Sequence, residues 1–357
     1  MSFTYGVDDK TAIQAKHDAQ KIAFAPIMFQ AAKALRDLGI LDCLYQHRRS
    51  GVELEKIASE LDLSVYGVKV LLEAGLSLEL VKVDNDLWNI TKTGYFILSD
   101  TLTRINMDFT NDVNYLGFYH LQESIKNGKP EGLKVFGQWK TIYEALSELP
   151  EEARKSWFSF DHYYSDYAFP EVLPYLFRNK PEKILDVGGN TGKFSIFCAR
   201  NNEDVKLTIV DLPGQVNVAL DNIAKEGLSD RIDAVPVDLL DTEASLPAGY
   251  NIIWMSQFLD CFSKKEILGL LQRACEALDE KGSLYILETY WDRQEFKAST
   301  YSLHATSLYF TAMANGNSQM YHSRDMESLI EKSGLYLEEV IDGIGVSHTL
   351  FVCRRKT

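Results

Sequence analysis

The stretch KILDVGGNTGKFSIFCA, Lys183 to Ala199, decides the fold. Ile184, Leu185 and Val187 make a short apolar run that carries an acid at Asp186 and then breaks into Gly188-Gly189-Asn190-Thr191-Gly192. Phe194, Ile196, Phe197 and Ala199 follow at helical spacing. The order predicts a buried parallel strand, a tight turn and a helix whose N-terminus faces that turn. Glycine is required where the backbone enters conformations closed to a Cβ and where a ligand must come close. Asn190 stands where a third glycine would be commonest, and asparagine tolerates a left-handed backbone.

A dinucleotide fingerprint does not fit, because Asn190 and Lys193 occupy its second and third glycine positions. Asp186 precedes the first glycine by two residues, where its carboxylate would repel a pyrophosphate but suits the ammonium and sulfonium of S-adenosylmethionine. A second strand, Lys206 to Val210, ends in Asp211, placed to accept hydrogen bonds from two ribose hydroxyls. A third ends near Val235-Pro236-Val237-Asp238, with its acid toward an adenine edge. Three successive strand ends with an aspartate favour a cationic nucleoside.

These residues carry a resemblance. LDVGGNTGKFS, VDLPGQV, the Asp238-Leu239 pair and ALDEKGSLYILE (Ala277 to Glu288) resemble the methyltransferase domain of the plant-type and hydroxyindole-type small-molecule O-methyltransferases. The resemblance runs over nearly the whole chain. It implies a Rossmann-like, seven-stranded α/β methyltransferase domain of class I behind an all-α, winged-helix dimerisation domain. It implies S-adenosyl-L-methionine as cofactor, bound by Asp186, Gly188, Gly189, Asn190, Gly192, Asp211, Leu212, Asp238, Leu239, Ser256 and Gln257.

Composition narrows the function. The 357 residues have room for two domains, and 46% apolar with 25% charged residues is ordinary for a globular protein. A formal charge of −14 argues against nucleic acid or an anionic membrane as partner. Cys43, Cys198, Cys261, Cys275 and Cys353 are scattered and odd in number, which reads as free thiols in a reducing compartment. The start, MSFTYGVDDK, is polar and acidic, unlike a signal peptide, and no run would span a bilayer. The expectation is a cytoplasmic protein. No metal site is expected, the histidines not being spaced as ligand pairs.

Residues 1–100 read as the dimerisation domain. Phe24, Ile27, Met28, Ala31, Leu35 and Leu38 predict an amphipathic helix. Leu54 to Leu61 is a short helix, Ser64 caps a second, and Leu80–Val83 with Leu87–Ile90 flank Asp84-Asn85-Asp86 as a hairpin wing. The would-be recognition helix has Lys69 but also Glu73 and Glu79, and a helix that approaches phosphates should be basic. An interaction module is the better reading, and the resemblance implies a homodimer.

Residues 101–175 read as a helical connector that lines the acceptor site, and residues 176–357 as the methyltransferase domain. The connector ends in an aromatic run, Trp157 to Phe169, of which Phe160, Tyr163 and Tyr164 are expected to wall a flat aromatic substrate. The catalytic corner departs from the family. Its fourth strand end carries Leu-His-Asp-Trp, whose histidine deprotonates the acceptor; here Leu259 matches, but Asp260, Cys261 and Phe262 replace the rest. Glu288 matches the acid that orients the base, and the second such acid falls about Gln319-Met320, neither of them acidic. Asp260, Glu288 and, on the helix-like segment Ser299 to Ala314, His304 are the candidate catalytic groups.

Three functions follow from this. The first is methyl transfer to the oxygen of a small phenolic acceptor through an altered base, and the second is transfer to an aromatic ring carbon. The third is a non-catalytic dimer that binds S-adenosylmethionine. Methyl transfer is favoured, oxygen ahead of carbon.

Overall fold

The computed structural model describes residues 6–356, which form two compact units that divide between Asp112 and Val113. In the first unit, helices Ala25–Asp37, Ile40–Gln46, Leu54–Glu60 and Val65–Ser77 enclose Leu35, Ile40, Leu41, Leu44, Ile57, Val68 and Leu72, all fully buried. Ser64 caps as its side-chain chemistry dictates, its Oγ accepting from Gly67 N at 3.0 Å. Strands β1 (Val81–Asp84) and β2 (Leu87–Ile90) pair antiparallel. Their turn puts Asn85 and Asp86 at φ 48° and 61°, the left-handed pair that a two-residue hairpin needs.

The predicted amphipathic face of the second helix is only partly buried. Leu35 enters the core, but Phe24, Ile27 and Leu38 stay exposed; Pro26 starts a new helix and leaves Phe24 outside it as its cap, Ile27 lies in its first turn and Leu38 caps its end. Helix Ala12–Ala23 buries nothing and leaves Ile13 and Ile22 in solvent. The would-be recognition helix shows solvent Val65, Val70 and a 78% exposed Tyr66, with Lys69 near Glu73. Its outer face is apolar rather than basic. Cys43 and His47, one helical turn apart, both reach the Glu60 carboxylate, at 3.4 and 3.1 Å. This cluster holds ligand-type atoms within 4.8 Å of one another, a spacing the sequence reading passed over.

The second unit is built on a seven-stranded sheet. Strands β3 (Lys183–Val187), β4 (Lys206–Asp211), β5 (Ile232–Pro236), β6 (Tyr250–Ser256), β7 (Leu278–Glu288), β8 (Leu335–Ile344) and β9 (His348–Arg355) lie in the order β5-β4-β3-β6-β7-β9-β8. The first five are parallel, β9 runs antiparallel to β7, and β8 antiparallel to β9. Strand order reverses between β3 and β6, so the crevice at their carboxyl ends is where ligands bind in such sheets.

Both faces of the sheet are covered, which is why its central strands read as unbroken apolar runs. Along β6, Ile253 and Met255 enter one core with Leu185, Leu270 and Phe351, while Ile252 and Trp254 enter the other with Ile184, Ile209 and Phe194. The aromatic run lies on helix Glu151–Leu176, whose lower half buries Ala168, Phe169, Val172 and Leu176. Helix Lys297–Tyr309 continues into a wider π turn, Phe310–Ala314. No helix among the described residues is long and apolar enough to cross a membrane.

Candidate active site

The glycine turn after β3 has the strained geometry its sequence predicts. Gly188, Asn190 and Gly192 take φ of 77°, 48° and 81°. A Cβ on Gly188 would stand 2.3 Å from the Phe258 ring, and one on Gly189 would stand 2.9 Å from Asp186 Oδ2. Gly188 N donates to Val210 O at 2.8 Å and so ties the turn to β4. Asp211 is fixed by two backbone donors, Asn190 N to Oδ2 at 2.8 Å and Leu212 N to Oδ1 at 2.7 Å. Each oxygen keeps a lone pair for a ligand hydroxyl. Burial raises its proton affinity, and these donors hold back part of the rise.

Two cavities open here and share Asp161, Gly188, Asn190 and Gln257. The smaller, about 80 Å³, is bounded by Asp186, Gly189, Thr191, Lys193 and Ser256. Asp186 is 3% exposed and accepts from Ser195 Oγ at 2.6 Å. Burial pushes it up to about 7, because no cation compensates its charge. Lys193 is held by Asp166 at 2.5 Å. The larger cavity, about 400 Å³, begins beside Asp211, Leu212, Asp238 and Leu239. Asp238 Oδ1 accepts from Leu240 N at 2.9 Å, which fixes the loop after β5.

S-adenosylmethionine fits these residues. A buried carboxyl without a cation lies at one end, a carboxylate anchored by backbone at the middle, and an aspartate with apolar leucines at the other. Gly192 is the member of the expected set that lines neither cavity; it caps helix Lys193–Asn201 and packs against Ala219.

The rest of the larger cavity is aromatic. Trp157, Phe160, Asp161 and Tyr164 line it from one helical stripe, and Tyr143, Phe262, Leu303, Thr306, Tyr309, Phe310 and Met320 face them. Trp157 Nε1 donates to Tyr309 Oη at 2.7 Å. Tyr163 lies off that stripe and outside the lining; its ring packs on Tyr164 and Tyr167. His304 is likewise placed away from the cavity. Its side chain is exposed beside Trp291, at 5.0 Å between ring centres, while Leu303 and Thr306 of the same helix turn inward.

Asp260 lies in a short turn, Leu259–Cys261, directly after β6. It is 7% exposed, lines the cavity and accepts from the Cys261 thiol at 3.5 Å. Behind it Glu288, at the end of β7, accepts from Phe258 N at 2.9 Å and Leu259 N at 2.7 Å through Oε1. Its Oε2 is buried without a hydrogen-bond partner. Burial pushes both carboxyls well above the usual range; repulsion from Asp161 adds to the rise at Asp260, and repulsion from Asp260 to that at Glu288, so the pair holds on to a proton. Met320, where the family's second acid would fall, is apolar and 9% exposed, with Thr289 Oγ1 3.2 Å from its sulfur.

Among the cavity residues that escaped the sequence reading, Asp161 and His348 bear most on the chemistry. Asp161 has burial push it up to about 6, and its position between Trp157 and Tyr164 at helical spacing was a readable signal. His348, from β9, is 1% exposed and lies 2.8 Å from Gln257 Oε1 through Nε2. Burial pushes it down to about 4, so at neutral pH it is uncharged and its Nε2–H donates to Gln257. No local signal marks it.

Comparison with known proteins agrees. Residues 118–336 match the O-methyltransferase domain, and residues 16–88 the Dimerisation2-like domain. The L-tyrosine C(3)-methyltransferase of Streptomyces lavendulae is 25% identical over 88% of this chain and 85% of its own length. The bacteriochlorophyllide d C-20 methyltransferase of Chlorobaculum tepidum is 22% identical over 78% of this chain and 80% of its own. Among solved structures, the apo form of the S-adenosylmethionine-dependent methyltransferase SibL superposes with a TM-score of 0.73, at 23% identity over 95% of this chain and 99% of its own. The chain belongs to the family of the O-methyltransferase domain and is an S-adenosylmethionine-dependent methyltransferase.

Proposed function

We propose that this enzyme methylates a small phenol, oxygen ahead of carbon, with Asp260 as the group that receives the phenolic proton. The observation that carries this reading is one cavity that joins the anchored Asp211 to an aromatic chamber lined by the buried Asp260, with Glu288 behind it. S-adenosylmethionine supplies an activated methyl group on a sulfonium, so holding the acceptor in line provides much of the rate. A phenol still has to lose its proton, having an ordinary pKa near that of tyrosine. An ordinary aspartate is a poor base for it, but Asp260 has its proton affinity raised by burial and by its neighbours. Glu288 holds the Asp260 turn through two backbone donors and acts as a positioning residue. Phe160 and Tyr164, whose rings pack 5.1 Å apart on one side of the chamber, are assigned to wall the acceptor ring. Asp186 and Asp211 are assigned to the methionine ammonium and the ribose hydroxyls.

The ring-carbon reading has its own support, since two relatives are named for methylation at C(3) of L-tyrosine and at C-20 of a bacteriochlorophyllide. The exposed apolar side chains of residues 6–112 and their match to the Dimerisation2-like domain support a homodimer. The free cysteines support a reducing, cytoplasmic setting. Transfer of a ¹³C-labelled methyl to simple phenols, with its position read by NMR, tests the proposal. A methyl ether is expected. A ring methyl moves the assignment to carbon, and tight cofactor binding without transfer to any phenol overturns it.

A further inference from the structure

The charge of the acceptor chamber is one-sided. Among the described residues that line the larger cavity there is no lysine or arginine, whereas Glu144, Asp161, Asp211, Asp238, Asp260 and Glu266 all do. Asp211 and Asp238 belong to the nucleoside end, and Glu266 is committed to its helix cap, accepting from Ser263 N at 2.7 Å and Ser263 Oγ at 2.6 Å. Glu144 is exposed. That leaves Asp161 and Asp260 inside the aromatic chamber, close enough to repel each other, with the unpartnered Glu288 Oε2 buried behind. Lys193 lines the smaller cavity, which Asp161 also borders, and its charge eases the ionisation of Asp161 from there, but its ammonium is tied to Asp166. His348 is buried and neutral.

Carboxyls enclosed by aromatic walls and not paired with a cation are costly to ionise, and a positive ligand group relieves that cost. The same walls attract cations through their ring faces. A carboxylate in this chamber would find only like charge and no donor of the arginine type.

Resting on the phenol reading above, we infer that the acceptor bears a basic amino group, that Asp161 receives its ammonium, and that aromatic acids are rejected. Asp161 stands one helical turn from both Trp157 and Tyr164, so an ammonium on a short tether from the ring reaches it while the hydroxyl meets Asp260. Specificity then comes as much from repulsion of acids as from attraction.

The test uses three phenols that differ only in the charge of the side chain: tyramine, 4-ethylphenol and 3-(4-hydroxyphenyl)propionate. Each is titrated calorimetrically into the full-length enzyme loaded with S-adenosylhomocysteine. Tyramine is expected to bind ~10-fold more tightly than 4-ethylphenol, and the propionate ~10-fold more weakly. In Asp161→Asn the gap between tyramine and 4-ethylphenol closes to within ~2-fold, and in Asp161→Lys the order of tyramine and the propionate inverts. Equal or better binding of the propionate to the native enzyme overturns the inference, as does a tyramine preference that survives Asp161→Asn or failure of all three to bind. Labelled methyl transfer to 4-ethylphenol reports on the phenol reading separately, since that ligand carries no charge.

Discussion

The two ends of the cleft are built on different principles. At the cofactor end the central carboxylate and the glycine turn are held by nearby backbone. Asp211 takes two amide donors, and the glycine turn is tied to β4 by its first N–H. At the acceptor end the groups come from remote elements. Asp161 lies on a helix, Asp260 follows β6, Glu288 ends β7, and a carboxylate oxygen is left without a partner. The first end is pre-organised for one ligand, and the second keeps buried charge in reserve for whatever enters. Backbone-anchored sites change little when side chains vary, whereas a chamber of side chains alters its acceptor by single substitutions.

The largest effect that would separate the ends is expected for Asp211→Ala. It strips two backbone donors of their acceptor and two ligand hydroxyls of theirs, so cofactor affinity should fall ~100-fold or more by calorimetry. Retained affinity would break the comparison at its stronger side. Asp260→Asn comes next, with kcat lowered ~10²–10⁴-fold while the cofactor Kd stays within a few-fold. In the native enzyme, kcat/KM should rise with pH through a range above that of an ordinary carboxylate, because Asp260 must lose its proton before it can accept one. The variant should lack that limb.

Asp186→Asn sharpens the cofactor end. A carboxyl pushed up to about 7 in the folded protein, against an ordinary value near 4, binds its proton more tightly folded than unfolded. Its contribution to stability is therefore full at pH below ~4 and declines as pH rises toward 7. The variant without cofactor should be more stable than the native protein by ~1–3 kcal/mol at pH 8, with little difference at pH 4, read from denaturant melts. It should also bind the cofactor more weakly. Smaller effects are expected at the chamber wall. Tyr164→Ala should raise the acceptor KM ~5–10-fold, and His304→Ala, on an exposed side chain, should change neither kcat nor KM beyond ~2-fold.

This contrast also explains what could be read from the sequence. The glycine turn, Asp211, the parallel strands and the antiparallel close of the sheet follow from local pattern, because each is a short-range consequence of backbone geometry. The chamber does not follow so directly. Tyr163 and Tyr164 are adjacent in an aromatic run, and only the phase of the helix decides that Tyr164 and Phe160 face inward. Asp161 shares that phase and was legible in principle. His348 was not, since it meets Gln257 only after β9 is laid beside β7. His304 was a plausible substitute base by residue type, but the inward face of its helix belongs to Leu303 and Thr306. The outward apolar residues of the first unit reverse a periodicity that, by itself, predicts burial.

The buried Asp186 has a consequence for the thermodynamics of ligand capture. Burial pushes it up to about 7, so it carries a proton more readily near neutrality than an ordinary aspartate, and an ammonium bound against it would favour its ionised form. With the methyl donor's ammonium seated there, uptake is expected to release hydrogen ion to the medium. The heat of association should differ between buffers of unequal ionisation enthalpy, and the difference should vanish in Asp186→Asn.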